Sequence, residues 1–385
     1  MNVVFLAPHF PNNYYQFCAN LHKLGATVLA IADEKYENLH QDLTSVLTEY
    51  YQVNDMHDYD QLVRAIGYFT HKYGKIDCVE SHSEEWLATD ARLRTDFNIT
   101  GLKNEFIKQL RQKSLMKKKF IKAGVNALPG KVVRTLKDAT IFTKKIGYPL
   151  VAKPDIELGV AGTYTINNQQ ELMEFFAYKP PVDYYLESFI IGKIYTFDGL
   201  VDRDGKLVFY TSHAVSEGLN EMFSDDLDSY SYSLRDIPKN LEEAGMNTLK
   251  AFDIRERFFH FEFIITPEDQ VVLYEINMCP PNGVSMDLFN FANDIDLYYE
   301  WGNILVNGST TMEYNRKYHS AYIGRKKNQN YLHSHEEIME NFGPLIVQQN
   351  QVTSSSSGTL DHYGYLARSP ELNDMLQIMD FIHAK

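Results

Sequence analysis

Three oxygen-bearing side chains, Glu262, Glu275 and Asn277, lie in a stretch whose pattern predicts two apolar strands joined by a short turn. Side chains alternate between the faces of a strand, so Glu275 and Asn277 share one face of the second strand, and Glu262 can meet them from the first. Magnesium prefers such oxygen ligands and often keeps phosphate oxygens and water in its remaining positions. The stretch therefore predicts a magnesium site. The alternative is an amphipathic hairpin whose polar face is simply exposed to solvent.

Two lysines precede this hairpin at positions where an ammonium group could hold the phosphates of a nucleotide. Lys153 closes a predicted buried strand and is followed by a loop with Gly159 and Gly162, where glycine lets backbone amides approach a phosphate. The spacing of the glycines is not that of a Walker loop, and an ordinary hairpin turn is the alternative. Lys113 lies on a basic amphipathic helix predicted over Glu105–Gly124.

The same helix carries a run of three lysines, Lys117, Lys118 and Lys119. A run of like charges is usually the solvated face of a helix. We therefore expect these three side chains to lie at the surface.

The segment between the lysine loop and the hairpin predicts a flat surface on which a purine ring could lie. The segment Asp183–Val215 reads as a strand, a short apolar crossing at Glu187–Ile191, and two strands joined by an Asp-Arg-Asp-Gly turn at 202–205. Backbone groups of Glu187–Phe189 could bind the edge of the purine. A simple linker between domains is the alternative.

The elements that must position these groups begin with a parallel sheet. The first hundred residues alternate strand and helix patterns, and ligands of such sheets sit outside the carboxyl ends of the strands. Pro8–Phe10 and Ser81–Glu85 follow two of the predicted strands and are candidate substrate contacts. The alternative is that His82 and Glu84 cap a helix that begins near Glu85. The opening lacks a glycine-rich dinucleotide fingerprint, which argues against NAD.

Composition limits the classes of protein that the chain can represent. Its 385 residues predict two to four subdomains with ample core. A formal charge of -14 argues against a nucleic-acid partner, which clustered lysine and arginine would attract. Three widely separated cysteines fit a reducing compartment without a disulfide framework. With neither a signal-peptide pattern nor a membrane-length apolar run, we expect a cytoplasmic protein that does not enter membranes.

Four elements stand in a fixed order along the chain. They are a helix lysine before Gly-Val-x-x-x-Pro, a strand Lys-Pro with its loop, the Glu-x-Phe-Ile-x-Gly segment, and the Glu...Glu-x-Asn hairpin. Over roughly Met1–Gly308 this order resembles the ATP-grasp superfamily of carboxylate-amine ligases, which includes D-alanine:D-alanine ligases, biotin carboxylases and L-amino-acid ligases. Each motif alone is weak, and only their conjunction is specific.

The resemblance implies an α/β (α+β) protein with the ATP-grasp fold, an N-terminal Rossmann-like parallel-sheet (pre-ATP-grasp) domain and a C-terminal α/β cap. It implies ATP between two lobes, and Mg²⁺ or Mn²⁺ bridging its phosphates. The implied nucleotide contacts are Lys113, Lys153, Gly159, Gly162 and an adenine hinge formed by Glu187, Ser188, Phe189 and Ile190. The implied metal ligands are Glu262, Glu275 and Asn277.

The family chemistry is the phosphorylation of a small carboxylate to an acyl phosphate, which an amine then attacks. The resemblance therefore implies ATP, a small carboxylate and an amine as the partners of this chain, and it leaves the oligomeric state open, a homodimer included. The attacking amine must be uncharged, and His213 or an N-terminal glutamate could accept its proton. A histidine in an exposed loop without such a role is the alternative for His213.

Two departures from the family pattern concern the second substrate and the ribose. Many members have Glu-x-Asn-x-Arg, but this chain has Cys279 at the place of the arginine. Arg255 or Arg257, just before the first metal ligand, could supply that charge, as in D-alanine:D-alanine ligases. Lys193 and Ile194 follow the hinge glycine, where a ribose-binding glutamate often stands.

The predicted organisation has four parts: a parallel-sheet domain at 1–104, an N-lobe at 105–190, a C-lobe at 191–310 and a cap at 311–385. The acidic, tyrosine-rich segment Ser216–Pro238 lacks periodicity and predicts a lid or specificity loop, with disorder as the alternative. The cap is expected to contain three strands and two helices. His333 and His335 lie two residues apart, which excludes a shared metal site on a helix.

Three functions are compatible with these features. The first is an ATP-dependent ligase that joins a small carboxylate to an amine and releases ADP and phosphate. The second is a nucleotide-binding regulator or partner subunit that has lost turnover, which Cys279 and Ile194 favour and the metal trio opposes. The third is a carbamoyl-phosphate-synthase-like fragment that uses bicarbonate, which the lack of a glutaminase signal disfavours.

Overall fold

A computed structural model describes residues 1–156, 162–216, 228–281, 283–351 and 361–385. The strands are β1 Asn2–Leu6, β2 Thr27–Ala32, β3 Glu49–Gln52, β4 Cys78–Glu80, β5 Gly130–Val133, β6 Leu150–Pro154, β7 Tyr164–Ile166, β8 Tyr184–Ser188, β9 Lys193–Val201, β10 Leu207–Thr211, β11 His213–Val215, β12 Tyr230–Ser233, β13 Arg257–Ile265, β14 Val271–Asn277, β15 His319–Lys326, β16 Ile346–Gln351 and β17 Asp361–Ser369.

The α-helices are α1 Tyr15–Lys23, α2 Gln41–Thr44, α3 Tyr59–Tyr73, α4 Leu87–Asp96, α5 Asn104–Arg111, α6 Lys113–Lys122, α7 Leu136–Ile146, α8 Gln169–Tyr178, α9 Lys239–Phe252, α10 Ser285–Asn293, α11 Leu297–Asn307, α12 His335–Phe342 and α13 Leu372–His383. None of the helices in the described ranges is long and apolar enough to cross a bilayer.

The N-terminal sheet is parallel throughout, with strand order β3-β2-β1-β4. Its two central strands, β1 and β2, are almost wholly apolar and buried, because a parallel sheet is covered on both faces. The predicted alternation of strands and helices is confirmed here, and α1 and α3 follow β1 and β3. Both His82 and the loop after β1 lie at the carboxyl ends of the strands, as parallel topology requires.

The single helix predicted over 105–124 is wrong, because the chain breaks into α5 and α6 at Gln112. Gln112 is extended and pairs with Ile156, and the Lys113 amide donates to the carbonyl of Asp155 at 2.7 Å. The carboxylate of Asp155 also accepts from the Ser114 amide at 2.8 Å and from the Gln112 side chain at 2.8 Å. The start of α6 is thereby attached to the end of β6.

A second sheet is antiparallel, with order β5-β8-β6-β7. Helices α7 and α8 pack on it through a core that includes Phe142, Leu172 and Phe175. This sheet carries Lys153 on β6 and Glu187 on the neighbouring β8.

The third sheet has nine strands, in the order β14-β13-β9-β11-β12-β15-β17-β16, with β10 paired to β9. The three strands and two helices predicted for the C-terminal segment are present. These strands do not form a sheet of their own, because β15 pairs with β12 and so continues the sheet that carries the hairpin. The lid predicted at Ser216–Pro238 falls partly on residues 217–227, outside the described residues, and Tyr230–Ser233 forms strand β12.

The predicted hairpin is confirmed as β13 and β14. Phe259, Phe261 and Phe263 lie on the face opposite Glu262, where they pack with residues of α9 such as Leu241. The apolar face of β13 therefore fixes the register that turns its polar face toward the N-terminal domain.

Candidate active site

The cross-strand register brings the three predicted metal ligands together. Glu262 lies directly opposite Glu275, and the register shifts next to this pair, where Tyr274 is an extra residue on β14. One oxygen of Glu262 lies 3.3 Å from Nε2 of His260, and its other oxygen is buried without a hydrogen-bond partner. Asn277 donates its side-chain amide to Glu84 at 3.3 Å. The buried, unsatisfied Glu262 oxygen is the feature of this face that a cation would satisfy.

A magnesium ion fits this set of donors. Two carboxylates and one amide oxygen converge on one polar face, and oxygen is the donor that Mg²⁺ prefers. Within the described ranges no group of three or more His, Cys, Asp or Glu side chains is arranged to hold a metal. Asn277 is outside those four residue types, and phosphate and water would fill the remaining positions of an ion held by Glu262, Glu275 and Asn277.

Lys113 reaches this face from the start of α6. Its ammonium group lies 2.8 Å from Oε1 of Glu275. Burial favours the neutral acid of Glu275, but the charges of Lys113 and Lys153 outweigh it and lower the pKa of Glu275. Lys113, the predicted phosphate contact, and Glu275, the predicted metal ligand, therefore neutralise each other.

Lys153 is held by two partners at the end of β6. Its ammonium group lies 3.0 Å from Oε1 of Glu187 and donates to the Tyr274 hydroxyl at 2.7 Å. Burial opposes its charged form, but Glu187, Tyr274 and Glu275 outweigh burial and raise the pKa of Lys153. Lys153 is therefore a fixed cation beside Glu275, on the N-lobe side of the site.

The prediction that Lys117 lies at the surface is wrong. Its side chain is 2% exposed, and its ammonium group lies 3.1 Å from both Oε2 of Glu187 and the carbonyl oxygen of Tyr274. Lys118, its neighbour, is exposed as expected. The signal that could have separated them is the helical spacing, since Lys117 follows Lys113 by one turn and shares its face.

The predicted adenine hinge follows directly from β8. The Ser188 amide donates to the Pro129 carbonyl at 3.1 Å and the Phe189 amide to the Pro149 carbonyl at 3.2 Å. The side chain of Glu187 faces the lysines instead of the hinge. Phe189 and Ile190 leave the strand, and the Phe189 side chain is exposed.

The glycine loop is described only at its end. Gly162 follows directly on the part that is outside the described residues, and that part contains Gly159. A Cβ atom at Gly162 would come within 2.6 Å of Cγ of Pro154, so the loop passes close to the end of β6. Any larger residue at Gly162 would have to displace the segment that carries Lys153.

The two candidate arginines lie in different environments. Arg255 is exposed and pairs with Asp253 at 3.0 Å. Arg257 is buried, where it donates to the Met278 carbonyl and lies 2.9 Å from Oε2 of Glu80. Both partners of Arg257 belong to the packing between the N-terminal domain and the hairpin, so the geometry assigns this arginine to a domain contact.

His213 is buried on β11 instead of lying in an exposed loop. Its Nδ1 lies 3.3 Å from Oδ2 of Asp198, and its Nε2 is buried without a partner. The other oxygen of Asp198 lies 2.6 Å from Nδ1 of His260, whose Nε2 meets Glu262. Burial opposes the imidazolium form of His260, but Asp198 and Glu262 outweigh it and raise its pKa to about 10.

A row of polar side chains thus runs from His213 through Asp198 and His260 to Glu262, the predicted metal ligand. Sequence reasoning missed Asp198 and His260, although both occupy inward positions of predicted apolar strands. Their inward positions could have revealed them, since a buried charged side chain requires a partner.

The N-terminal domain contributes Glu84, which contacts Asn277. A narrow cleft at this junction is lined by Glu84, Leu87, Leu110, Arg111, Glu275, Ile276 and Asn277. His82 instead is buried among the aromatic rings of Phe17, Phe258 and Trp301, and burial lowers its pKa to about 3. Of the two strand-end residues singled out in the sequence, Glu84 therefore faces the site and His82 belongs to the core.

The sequence is similar to known ATP-binding proteins over part of its length. Residues 112–183 match the family model described as carbamoyl-phosphate synthase L chain, ATP binding domain. The carbamoyl phosphate synthase large chain of Thermotoga neapolitana is 28% identical over 195 residues, which is 48% of this chain and 18% of that protein. Alanine–anticapsin ligase of Bacillus subtilis is 26% identical over 139 residues, 36% of this chain and 28% of that protein.

The likeness of the fold extends over nearly the whole chain. An L-amino acid ligase from Bacillus licheniformis superposes with a TM-score of 0.76 at 13% identity, covering 99% of this chain and 96% of that one. N5-carboxyaminoimidazole synthetase from Staphylococcus aureus superposes with a TM-score of 0.76 at 16% identity, covering 99% of this chain and 97% of that one. A third structure is the biotin carboxylase domain dimer of the Hydrogenobacter thermophilus 2-oxoglutarate carboxylase, solved with MgADP and bicarbonate. It superposes with a TM-score of 0.72 at 16% identity, covering 99% of this chain and 89% of that one.

The chain spans less than a fifth of the carbamoyl phosphate synthase large chain that it matches. Its architecture is instead that of the smaller ligases over their full length. The matched segment, 112–183, begins just before Lys113 and includes Lys153, the two lysines that face the hairpin. The chain therefore contains a segment similar to the ATP binding domain of carbamoyl-phosphate synthase, within a fold like that of an L-amino acid ligase and of N5-carboxyaminoimidazole synthetase.

Proposed function

We propose that this protein is an ATP-dependent carboxylate-amine ligase. It transfers the γ-phosphoryl group of ATP to a small carboxylate, an amino acid or a related metabolite. The resulting acyl phosphate is attacked by an amine, which forms an amide and releases phosphate, while ADP leaves separately.

One observation carries the proposal: the contact of the Lys113 ammonium group with Glu275 at 2.8 Å. Attack of a carboxylate on a phosphate is opposed by repulsion between anions. Lysine ammonium groups that neutralise the phosphate oxygens remove that repulsion and hold the groups in line. Lys113 and Lys153 stand on one side of the site and the carboxylates Glu262 and Glu275 on the other, which is the arrangement that phosphoryl transfer requires.

Glu262, Glu275 and Asn277 would hold Mg²⁺, which when bound neutralises phosphate charge as a Lewis acid. Glu262→Gln keeps the shape of the ligand and removes its charge. We expect this variant to require at least about tenfold more Mg²⁺ for half-maximal binding of ADP. Calorimetric titration of ADP at several Mg²⁺ concentrations measures this directly, and an unchanged Mg²⁺ requirement would remove Glu262 from the ligand set.

His213 is the group that we assign to the proton of the attacking amine. Its Nδ1 is held by Asp198, so its buried Nε2 can present a lone pair. Its substitution by Asn is expected to slow amide formation while ATP binding stays intact.

The experiment is phosphate release from MgATP across amino acids, small carboxylic acids and amines, each alone and in pairs. We expect one pair to release phosphate and to yield a product lighter than the sum of the two by one water. Glu275→Gln and Lys153→Met should abolish the release, and the exposed Lys118→Met should not. Magnesium-dependent ATP binding without release by any pair would instead favour the regulator, in which Cys279 replaces the family arginine.

A second candidate function takes bicarbonate as the carboxylate. The match of residues 112–183 to the carbamoyl-phosphate synthase domain favours it. It predicts phosphate release that depends on bicarbonate and needs no organic acid. Release that continues in bicarbonate-depleted buffer rules this candidate out.

The three cysteines, Cys18, Cys78 and Cys279, are unpaired and buried. Burial raises the pKa of Cys18 and Cys78, so their thiols stay protonated and unreactive. We propose a cytoplasmic location, which three free cysteines without a disulfide framework fit.

A further inference from the structure

Lys117 is a buried cation to which the proposed reaction assigns no part. It lies on α6, one turn beyond Lys113, and is 2% exposed. Its ammonium group contacts Glu187 at 3.1 Å on the N-lobe and the Tyr274 carbonyl at 3.1 Å on the C-lobe. A lysine at such a depth has lost its hydration, so its presence requires a compensating interaction.

The compensating anion is shared. Glu187 places Oε1 3.0 Å from Lys153 and Oε2 3.1 Å from Lys117. Glu187 is itself 1% exposed, and although burial favours its neutral form, the two lysines lower its pKa to about 2. Two ammonium groups and one carboxylate leave one positive charge in excess within this cluster, since Glu275 is neutralised by Lys113.

We propose that Lys117 is a positioning residue of the nucleotide site, because by balancing Glu187 it leaves the charge of Lys153 available to a nucleotide phosphate. The inference rests on the proposed function only in requiring that nucleotide binds beside Lys153. Without Lys117, the carboxylate of Glu187 would be satisfied by Lys153 alone. A phosphate would then compete with an equal and buried anion for the same lysine.

The contact with Tyr274 gives the same lysine a second effect. The Tyr274 hydroxyl accepts from Lys153 while its carbonyl accepts from Lys117, so both lysines hold one residue of β14. Glu275 follows in the chain and is turned to Lys113. Lys117 therefore aligns the Lys153 ammonium with the strand that carries the metal ligand.

The test is calorimetric binding of ADP with Mg²⁺ by four variants and wild type. Lys117→Met should weaken ADP binding by at least about tenfold. The double variant Lys117→Met/Glu187→Gln restores the single excess charge and should recover most of that loss. Lys117→Arg keeps the charge and should bind within about threefold of wild type. Lys118→Met, an exposed change on the same helix, should bind like wild type.

The outcomes separate the inference from the proposed function. Wild type that binds no ADP would overturn both, whereas ADP binding without any ligase reaction would leave the inference standing. Lys117→Met that binds like wild type overturns the inference alone. Binding by the double variant that is no tighter than by Lys117→Met would assign Lys117 to packing, because a packing role gains nothing from neutralising Glu187. If Lys117→Met does not fold, the double variant carries the test, and a tenfold loss in it is the refuting result.

Discussion

Arg257→Met is expected to destabilise the protein more than it affects the chemistry of the site. Arg257 is 4% exposed, contacts Glu80 at 2.9 Å and donates to the Met278 carbonyl. Its removal breaks a buried ion pair and leaves that carbonyl unsatisfied. Because Glu80 keeps Arg94 at 2.9 Å, we place the loss at the lower end for buried pairs, about 3 kcal/mol.

Urea denaturation followed by tryptophan fluorescence measures this loss, because Trp301 and Trp86 are both buried. The matched control is Arg255→Met, which removes an exposed pair with Asp253 and should shift the free energy of unfolding by less than about 0.5 kcal/mol. A variant at Arg257 with wild-type stability and no phosphate release would refute the reasoning, because it would show that Arg257 contacts substrate instead of joining two domains.

Three further outcomes follow from packing and charge. Gly199→Ala should lower the free energy of unfolding by about 2 kcal/mol, since its Cβ would lie 2.3 Å from the Phe209 carbonyl oxygen. Gly67→Ala, on an open face of α3, should instead raise it by about 1 kcal/mol, and chemical denaturation compares the two. Glu187→Gln should be less stable than wild type at neutral pH, and the difference should shrink as pH falls below about 5. Because the pKa of Glu187 is lowered in the folded protein, its carboxylate stabilises the fold at a pH above the usual pKa of a glutamate. This stabilisation is lost as the pH falls toward about 2, so a difference in stability that is constant with pH would contradict the prediction.

Much of the architecture was predictable because local patterns and global topology agree. The alternating apolar strands and helices of the first hundred residues fix a parallel sheet, and the Phe259–Phe263 alternation fixes the buried face of β13. The turn chemistry and strand period then place Glu262 opposite Glu275. These are short-range rules, and each was legible in a few residues of sequence.

The remainder depended on contacts between segments far apart in the chain. Nothing local shows that Asp155 ends α5 and starts α6, or that Lys117 meets Glu187 and Tyr274. The role of a lysine in a charged run depends on which helical face another lobe covers. The same holds for Arg257, whose partner Glu80 lies 177 positions away in the chain.

The continuity of the nine-stranded sheet has a consequence for how such a protein can be divided or recombined. Strand β15 completes the hydrogen bonding of β12, and β12 pairs in turn with the strand that carries His213. A truncation before β15 would leave β12 as an open edge, ready to pair with a neighbouring molecule and aggregate. The C-terminal segment therefore has to accompany the part of the sheet that carries the hairpin, and we expect a gene fusion or domain exchange to be tolerated before β1 or after α13 but not at the start of that segment.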